Sequence, residues 1–265
     1  MQTYFLVLII IIIQIVYFPL SAKPQAWLKW TENNKENAKS IDHSDWDTLL
    51  KNYITDNKEN GINRFDYKNV TAADNKLLNS YLENMQNLKI TSYAKNEQMA
   101  YWINLYNALT IKVILEKYPL KSIKNIDGIG PWKKKRLTIE GEKISLDDIE
   151  HRILRPIWQD SRVHYAVNCA SLGCPNLQNV AFTSNNLEKL LEKGAFEFIN
   201  HKRGVNFKGK KLVLSSIYNW FKTDFGNNTD DLLKHLIKSA KPELKQKLQD
   251  FKGKIQYAYD WKLNE

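Results

Sequence analysis

Cysteine is scarce in this chain: 265 residues contain two, Cys169 and Cys174, and neither stands near the N-terminus. With no thiol close to residue 22, an N-terminal lipid has no attachment atom. No second cysteine pair is present to complete a zinc knuckle, and there is no His-Glu-x-x-His helix. A glycine-rich phosphate loop, a dinucleotide fingerprint and a Gly-x-Ser-x-Gly elbow are missing too, so nucleotide use and classical serine hydrolysis have no support. We expect no metal ion and no cofactor. Neither an internal repeat nor a coiled-coil heptad occurs. Charge is absent from residues 1–22, and positions 6–16 are almost purely apolar. This stretch reads as a signal peptide, its apolar run ending near Pro19 with Ser21 and Ala22 ahead of Lys23. The same stretch lacks Lys and Arg, which weakens topology control and keeps an uncleaved anchor as the alternative. The expectation is an exported protein, periplasmic or secreted, and membrane-attached only if residues 1–22 are retained.

What is present is a basic chain, +10 at neutral pH, with its lysines spread over residues 189–211 and 234–254. The one tight cluster, Lys133, Lys134, Lys135 and Arg136, lies beside Trp132. Such a cluster suits contact with an anionic surface, and it serves equally as a solvated face. Export argues against a nucleic-acid partner. Residues 23–40 are polar after Trp27 and Trp30 and read as a linker, followed by a single α+β domain over 41–265. Helical spacing is expected at 45–54, 74–88 and 96–118, the last carrying Tyr101, Leu105, Ala108, Leu109 and Val113 at the 3.6-residue period with apolar residues on further faces. A helix buried on most of its circumference follows, and Asn104 and Asn107 within it need partners. Residues 137–144 read as a hairpin, Ser145 and Asp148 as a capping box, and the helix behind them stops before Pro156. Alternating bulky residues make 162–168 a core strand, and 205–214 a hairpin about Gly209. Short helices follow near 217–221, 231–236 and 244–248, and the chain closes on strand-like alternation at 255–261.

Five blocks in order carry a resemblance: 102–109 with Trp102, Asn104 and Asn107; 145–155 with Glu150, His151 and Arg155; 163–175 with His164, Cys169, Ser171 and Cys174; Trp220 with Asp224, Phe225 and Gly226; and Tyr259, Asp260 and Trp261 near the end. Over about residues 90–264 the chain resembles the family catalogued as domain of unknown function 547. The resemblance implies an α+β fold, a mixed or antiparallel sheet against several helices, with a distant papain-like or transglutaminase-like relationship as fold-level analogy. It implies no established activity.

The chemistry concentrates in the third block. Thiol catalysis needs an accessible thiolate, an imidazole within reach and a group to hold that imidazole. Cys169 is the candidate nucleophile, entering a loop from the expected strand. His164 is the nearer base, although strand parity would turn positions 164 and 169 to opposite faces. His151, beside Glu150, is the rival. Asn104 or Asn107 would orient the imidazole or donate to an oxyanion. Arg155, Ser171, Cys174 and Asp260 complete the list as substrate-binding candidates, with Asp260 also a candidate orienter. Against this stands a disulfide: an exported chain with two cysteines five residues apart about Gly173 is well suited to a bridge. Two functions stay open, a thiol-dependent hydrolase or acyl-transfer enzyme on amide or peptide-like substrates, and a noncatalytic envelope binding or scaffold domain locked by Cys169–Cys174. The partner is accordingly a peptide-like or envelope substrate, or a protein.

Overall fold

The helix with the strongest sequence pattern becomes the centre of the protein. In the computed structural model, which describes residues 25–57, 60–128 and 130–265, every residue from Glu97 to Ile111 in that helix is buried. The expected export segment lies outside the described residues. Among them, no helix is long and apolar enough to cross a membrane.

The first part of the domain holds α1 (Ser44–Tyr53), β1 (Ile54–Asn57), β2 (Ile62–Phe65), α2 (Ala72–Gln86), α3 (Lys95–Leu115), β3 (Leu137–Ile139), β4 (Glu142–Ile144), α4 (Leu146–Asp148) and α5 (Arg155–Trp158). The second holds α6 (Leu187–Ile199), β5 (Val205–Lys208), β6 (Lys211–Ser215), α7 (Ile217–Trp220), α8 (Lys222–Phe225), α9 (Thr229–Ser239), α10 (Pro242–Gln249) and β7 (Ile255–Ala258). The fold is α+β, its strands among the described residues divided among three small sheets. β1–β2 and β3–β4 are antiparallel hairpins; β6 pairs antiparallel with β5 and parallel with β7.

Two hydrophobic cores organise these elements. The larger surrounds α3 and takes in Trp30, Trp46, Tyr81 and Trp102; the smaller is built from Phe198, Leu212, Leu214, Tyr218, Phe225 and Leu236. The two share a wall, because α6 gives Leu187, Leu190 and Leu191 to the first and Ala195, Phe198 and Ile199 to the second. In the segment before α6, Val163 and Val167 face the first core and Tyr165 the second. Truncating a fully buried aromatic such as Trp102 would cost about 3–5 kcal/mol.

Three expectations need correction. Within the expected linker, Trp30 is not free of the fold: it is 1% exposed and packs edge-on against Trp102 with ring centroids 5.2 Å apart. The helix begun by the Ser145–Asp148 capping box does not stop before Pro156. It widens into a π-helical turn at Ile149–Leu154, in which the Arg155 N–H bonds the Glu150 carbonyl, and continues as α5 through the proline. Pro156 has no N–H for the Arg152 carbonyl one turn back, and that carbonyl accepts instead from Trp27 N at 2.9 Å. The N-terminal segment thus satisfies the helix that the proline leaves short. Finally, residues 161–165 form a 3-10 turn, Ser161–Tyr165, and not a core strand.

Candidate functional site

That 3-10 turn removes the parity argument against His164. Asp160 caps the turn by accepting from Arg162 N at 2.8 Å, and the turn presents the His164 ring to the seam between the cores. The ring is buried, stacked on Phe221 with centroids 4.4 Å apart and planes 16° apart. Its Nε2 lies 2.7 Å from Asp224 Oδ2. Because a carboxylate only accepts, the proton is assigned to Nε2 and the lone pair to Nδ1, which has no protein partner among the described residues.

Asp224 comes from α8, in the second core, and meets Arg155 from the first. The guanidinium is bidentate, Nε to Oδ2 at 2.5 Å and Nη2 to Oδ1 at 3.1 Å. Burial pushes the Asp224 carboxyl upward, but hydrogen bonds from His164 and Arg155 outweigh it and hold the group well below the usual carboxylate range. For His164 the order reverses: burial dominates, and despite Asp224 its pKa falls below the ordinary histidine value, leaving a neutral ring at neutral pH. Arg155 Nη1 also donates to His151 Nδ1 at 3.1 Å, so one guanidinium meets His151 directly and His164 through Asp224.

His164 and Cys169 line one cavity of about 300 Å³. Asp147, Glu150 and His151 line it too, at the i, i+3, i+4 spacing that brings side chains to one helix face. Glu150 accepts from the buried Tyr106 hydroxyl at 3.0 Å. The other wall is aromatic: Trp132, Trp220, Phe221, Tyr259 and Trp261 line it, with Tyr259 and Trp261 centroids 4.6 Å apart. A mainly apolar pocket with a few convergent polar groups is the usual form of a small-molecule or peptide site.

The cysteine loop is held by the C-terminal tail. Leu172 N and Gly173 N bond the carbonyls of Lys262 and Asp260 at 2.8 Å each, and Ser171 bridges Leu263. A side chain on Gly173 would place its Cβ 2.8 Å from Asp260 N, so the close approach requires glycine. The sulfurs of Cys169 and Cys174 lie at disulfide distance, with Cα atoms 6.3 Å apart. The Tyr259 hydroxyl sits 3.0 Å from Cys169 Sγ, 3.1 Å from Cys174 Sγ and 3.0 Å from Ser171 Oγ.

The residues expected from sequence divide accordingly. Cys169, Cys174, His164, His151 and Glu150 share the cavity, with Ser171 behind the sulfurs. Asn104 and Asn107 do not reach a histidine. Asn104 clamps Phe182, donating to its carbonyl at 2.7 Å and accepting from its N–H at 2.9 Å. Asn107 bridges Ala166 O at 2.9 Å and Asn168 N at 2.8 Å. Asn107 thus fixes the backbone that leads into the cysteine loop and Asn104 the backbone at Phe182 beyond it, which makes them positioning residues. Arg155 has its fork filled by Asp224. Asp260 is exposed, and its carboxylate accepts from Lys262 N in a turn, so the imidazole's partner is Asp224 instead. Asp224 and the aromatic wall are the features that reading along the sequence missed as site parts; Trp220 and Asp224 within one block of the resemblance were the available signal. Of the basic cluster, Lys135 pairs with Asp148 and Arg136 with Glu116. Among the described residues, no group of His, Cys, Asp and Glu is arranged to hold a metal ion.

Residues 90–199 match the family described as Protein of unknown function, DUF547. The similarity to that family covers these residues, less than half of the chain. No match was found among curated proteins or among solved structures. The matched residues supply α3, the π-helical turn, His164 and the cysteine loop. Asp224, Tyr259 and Trp261 come from the chain beyond it, so the cavity is completed by elements outside the matched residues.

Proposed function

We propose that the protein is an exported, thiol-dependent hydrolase or acyl-transfer enzyme acting on an amide or peptide-like substrate, with Cys169 as nucleophile and His164 as its base. One observation carries the reading: a buried imidazole, held by a carboxylate at 2.7 Å and stacked on Phe221, opens onto the cavity that Cys169 lines. The chemistry starts from the reduced pair. His164 Nδ1 takes the Cys169 proton, and Asp224 stabilises the imidazolium that results. The thiolate adds to the substrate carbonyl, the amine leaves with the proton from His164, and water or a second amine then resolves the thioester. Cys169 is partly exposed while Cys174 is buried, so the attacking sulfur is the accessible one. The aromatic wall supplies apolar contact for the substrate. Export rests on the uncharged apolar run at 1–22 and agrees with a chain whose two cysteines sit within bonding distance.

The test is alkylation of the fully reduced protein by iodoacetamide as a function of pH, with mass mapping of each cysteine. We expect Cys169 to react well below the pH at which an ordinary thiol does, and His164→Ala to move that limb toward a free-thiol profile. Equal, His164-independent profiles for both cysteines would sink the assignment. The pairing of the sulfurs favours a second reading, a noncatalytic envelope binding or scaffold domain. In that case the bond would persist in reductant-free protein and the reduced thiols would show no enhanced reactivity.

A further inference from the structure

Tyr259 lines a second cavity, about 290 Å³, and the charge there has the opposite character. Lys202 and Arg203, from the turn after α6, line it, together with Asn206 and Lys208, two residues apart and so on one face of β5. Arg203 is the unusual member. Removing a guanidinium from water costs several kcal/mol, and proteins ordinarily offset that with a carboxylate. Arg203 has no ion pair among the described residues: Nη1 donates to Leu172 O at 3.3 Å, Nη2 to Asn176 Oδ1 at 2.5 Å, and Nε is shut off from solvent without a partner. The neighbouring acid, Glu197, is engaged elsewhere, accepting from Asn176 at 3.1 Å and pairing with Lys193 at 3.6 Å. Burial lowers the Arg203 pKa to about 10. Lys202 and Lys208 are exposed and likewise have no carboxylate partner among the described residues. The one acid at the rim, Asp260, accepts from Lys262 N.

We infer that this cavity is a binding site for an anionic ligand group, a carboxylate or a phosphate, held by Arg203, Lys202 and Lys208. Three cations converge on one concavity, and the half-buried Arg203 has no carboxylate within ion-pair distance among the described residues. A bound anion supplies the counter-charge, in the same way that charge-assisted hydrogen bonds to a guanidinium are the strong ones elsewhere. The inference stands apart from thiol chemistry, because none of these groups touches a sulfur. Arg203 does hold Leu172 and Asn176, so occupancy of this cavity would also firm the loop that carries Cys174.

The experiment is calorimetric titration of the full chain with two probes, inorganic phosphate and N-acetylglycine, at low and at physiological salt. Saturable binding of phosphate alone assigns a phosphoryl group, and saturable binding of N-acetylglycine alone assigns a carboxylate; binding of both supports a general anion site. The paired exposed substitution Lys202→Gln with Lys208→Gln leaves the fold intact and should weaken the affinity about tenfold or more, with the salt dependence reduced. Arg203→Gln should abolish binding, with circular dichroism confirming that the variant folds. Absence of saturable binding by either probe, or an affinity unchanged in the Lys202→Gln, Lys208→Gln protein, would overturn the inference.

Discussion

The buried polar groups along α3 and those at the seam between the two cores face the same physical problem and meet it differently. Along α3, Gln98 donates to three backbone carbonyls, Asn104 and Asn107 each clamp a backbone donor and acceptor, and Tyr101 donates to Met85 O. Among the described residues, none of these four side chains has a fully buried polar atom without a hydrogen bond. At the seam, His164 spends one nitrogen on Asp224 and keeps the other, while Cys169 and His151 face a cavity. The contrast shows how to separate structural from functional polar residues when both are buried: saturation of the hydrogen-bonding capacity marks the first, and an unspent atom directed at a cavity marks the second.

This contrast can be broken or sharpened by substitution. The largest loss of stability is expected for Asn107→Ala, which leaves the Ala166 carbonyl and Asn168 N–H unpaired in the interior and should cost about 3–5 kcal/mol in urea denaturation. A cost below 1 kcal/mol would show that the amide is not a clamp. Arg155→Met comes next, at about 3 kcal/mol, because it strands the mostly buried Asp224 beside His164; by NMR the His164 pKa should rise, since a nearby positive charge has been removed. A fall in that pKa would contradict the proposed role of the fork.

A third effect is on pH. Burial lowers His235 to about 4, with its Nε2 at 2.7 Å from the Tyr165 hydroxyl. The unfolded chain therefore binds a proton at this residue that the folded chain refuses between about pH 6.5 and 4. Stability is full above the unfolded value and lost as pH falls through that window. Allowing for partial exposure, the loss is on the order of 2 kcal/mol, and His235→Gln should flatten the curve of melting temperature against pH. Depressed Asp224 adds to acid loss, but below that range. The smallest change in stability, under about 1 kcal/mol, is expected for Trp220→Ala, because the ring is 42% exposed. If the aromatic wall binds substrate, the same variant should lose reactivity toward amide substrates while keeping its melting temperature; unchanged reactivity would remove Trp220 from the site.

Much of the scaffold was legible in the sequence, for reasons tied to short-range pattern. The apolar breadth of 96–118 announced a helix buried on most of its circumference, the Ser145–Asp148 cap and the 205–214 hairpin are local chemistry, and the cysteine spacing about Gly173 permitted the pairing that the fold brings to bonding distance. Other features were not readable along the chain. Alternating bulky residues at 162–168 resemble a strand, yet Val163 and Val167 face one core and Tyr165 the other, from a segment that begins as the 3-10 turn Ser161–Tyr165. Pro156 looks like a stop because the donor that replaces its missing N–H comes from Trp27, far away in sequence.

The sequence by itself determined which residues have the chemistry: two cysteines, a few histidines, an α3 that must be interior, and a family pattern over the middle of the chain. Only the tertiary structure decided which of them meet. Asp224 stands 60 residues from His164 and Tyr259 stands 90 from Cys169, and both pairs are in contact because the second core folds back over the first along the wall they share at α6. Periodicity reports the face a side chain presents, whereas a site depends on which faces are pressed together, and that is set by the packing of two cores.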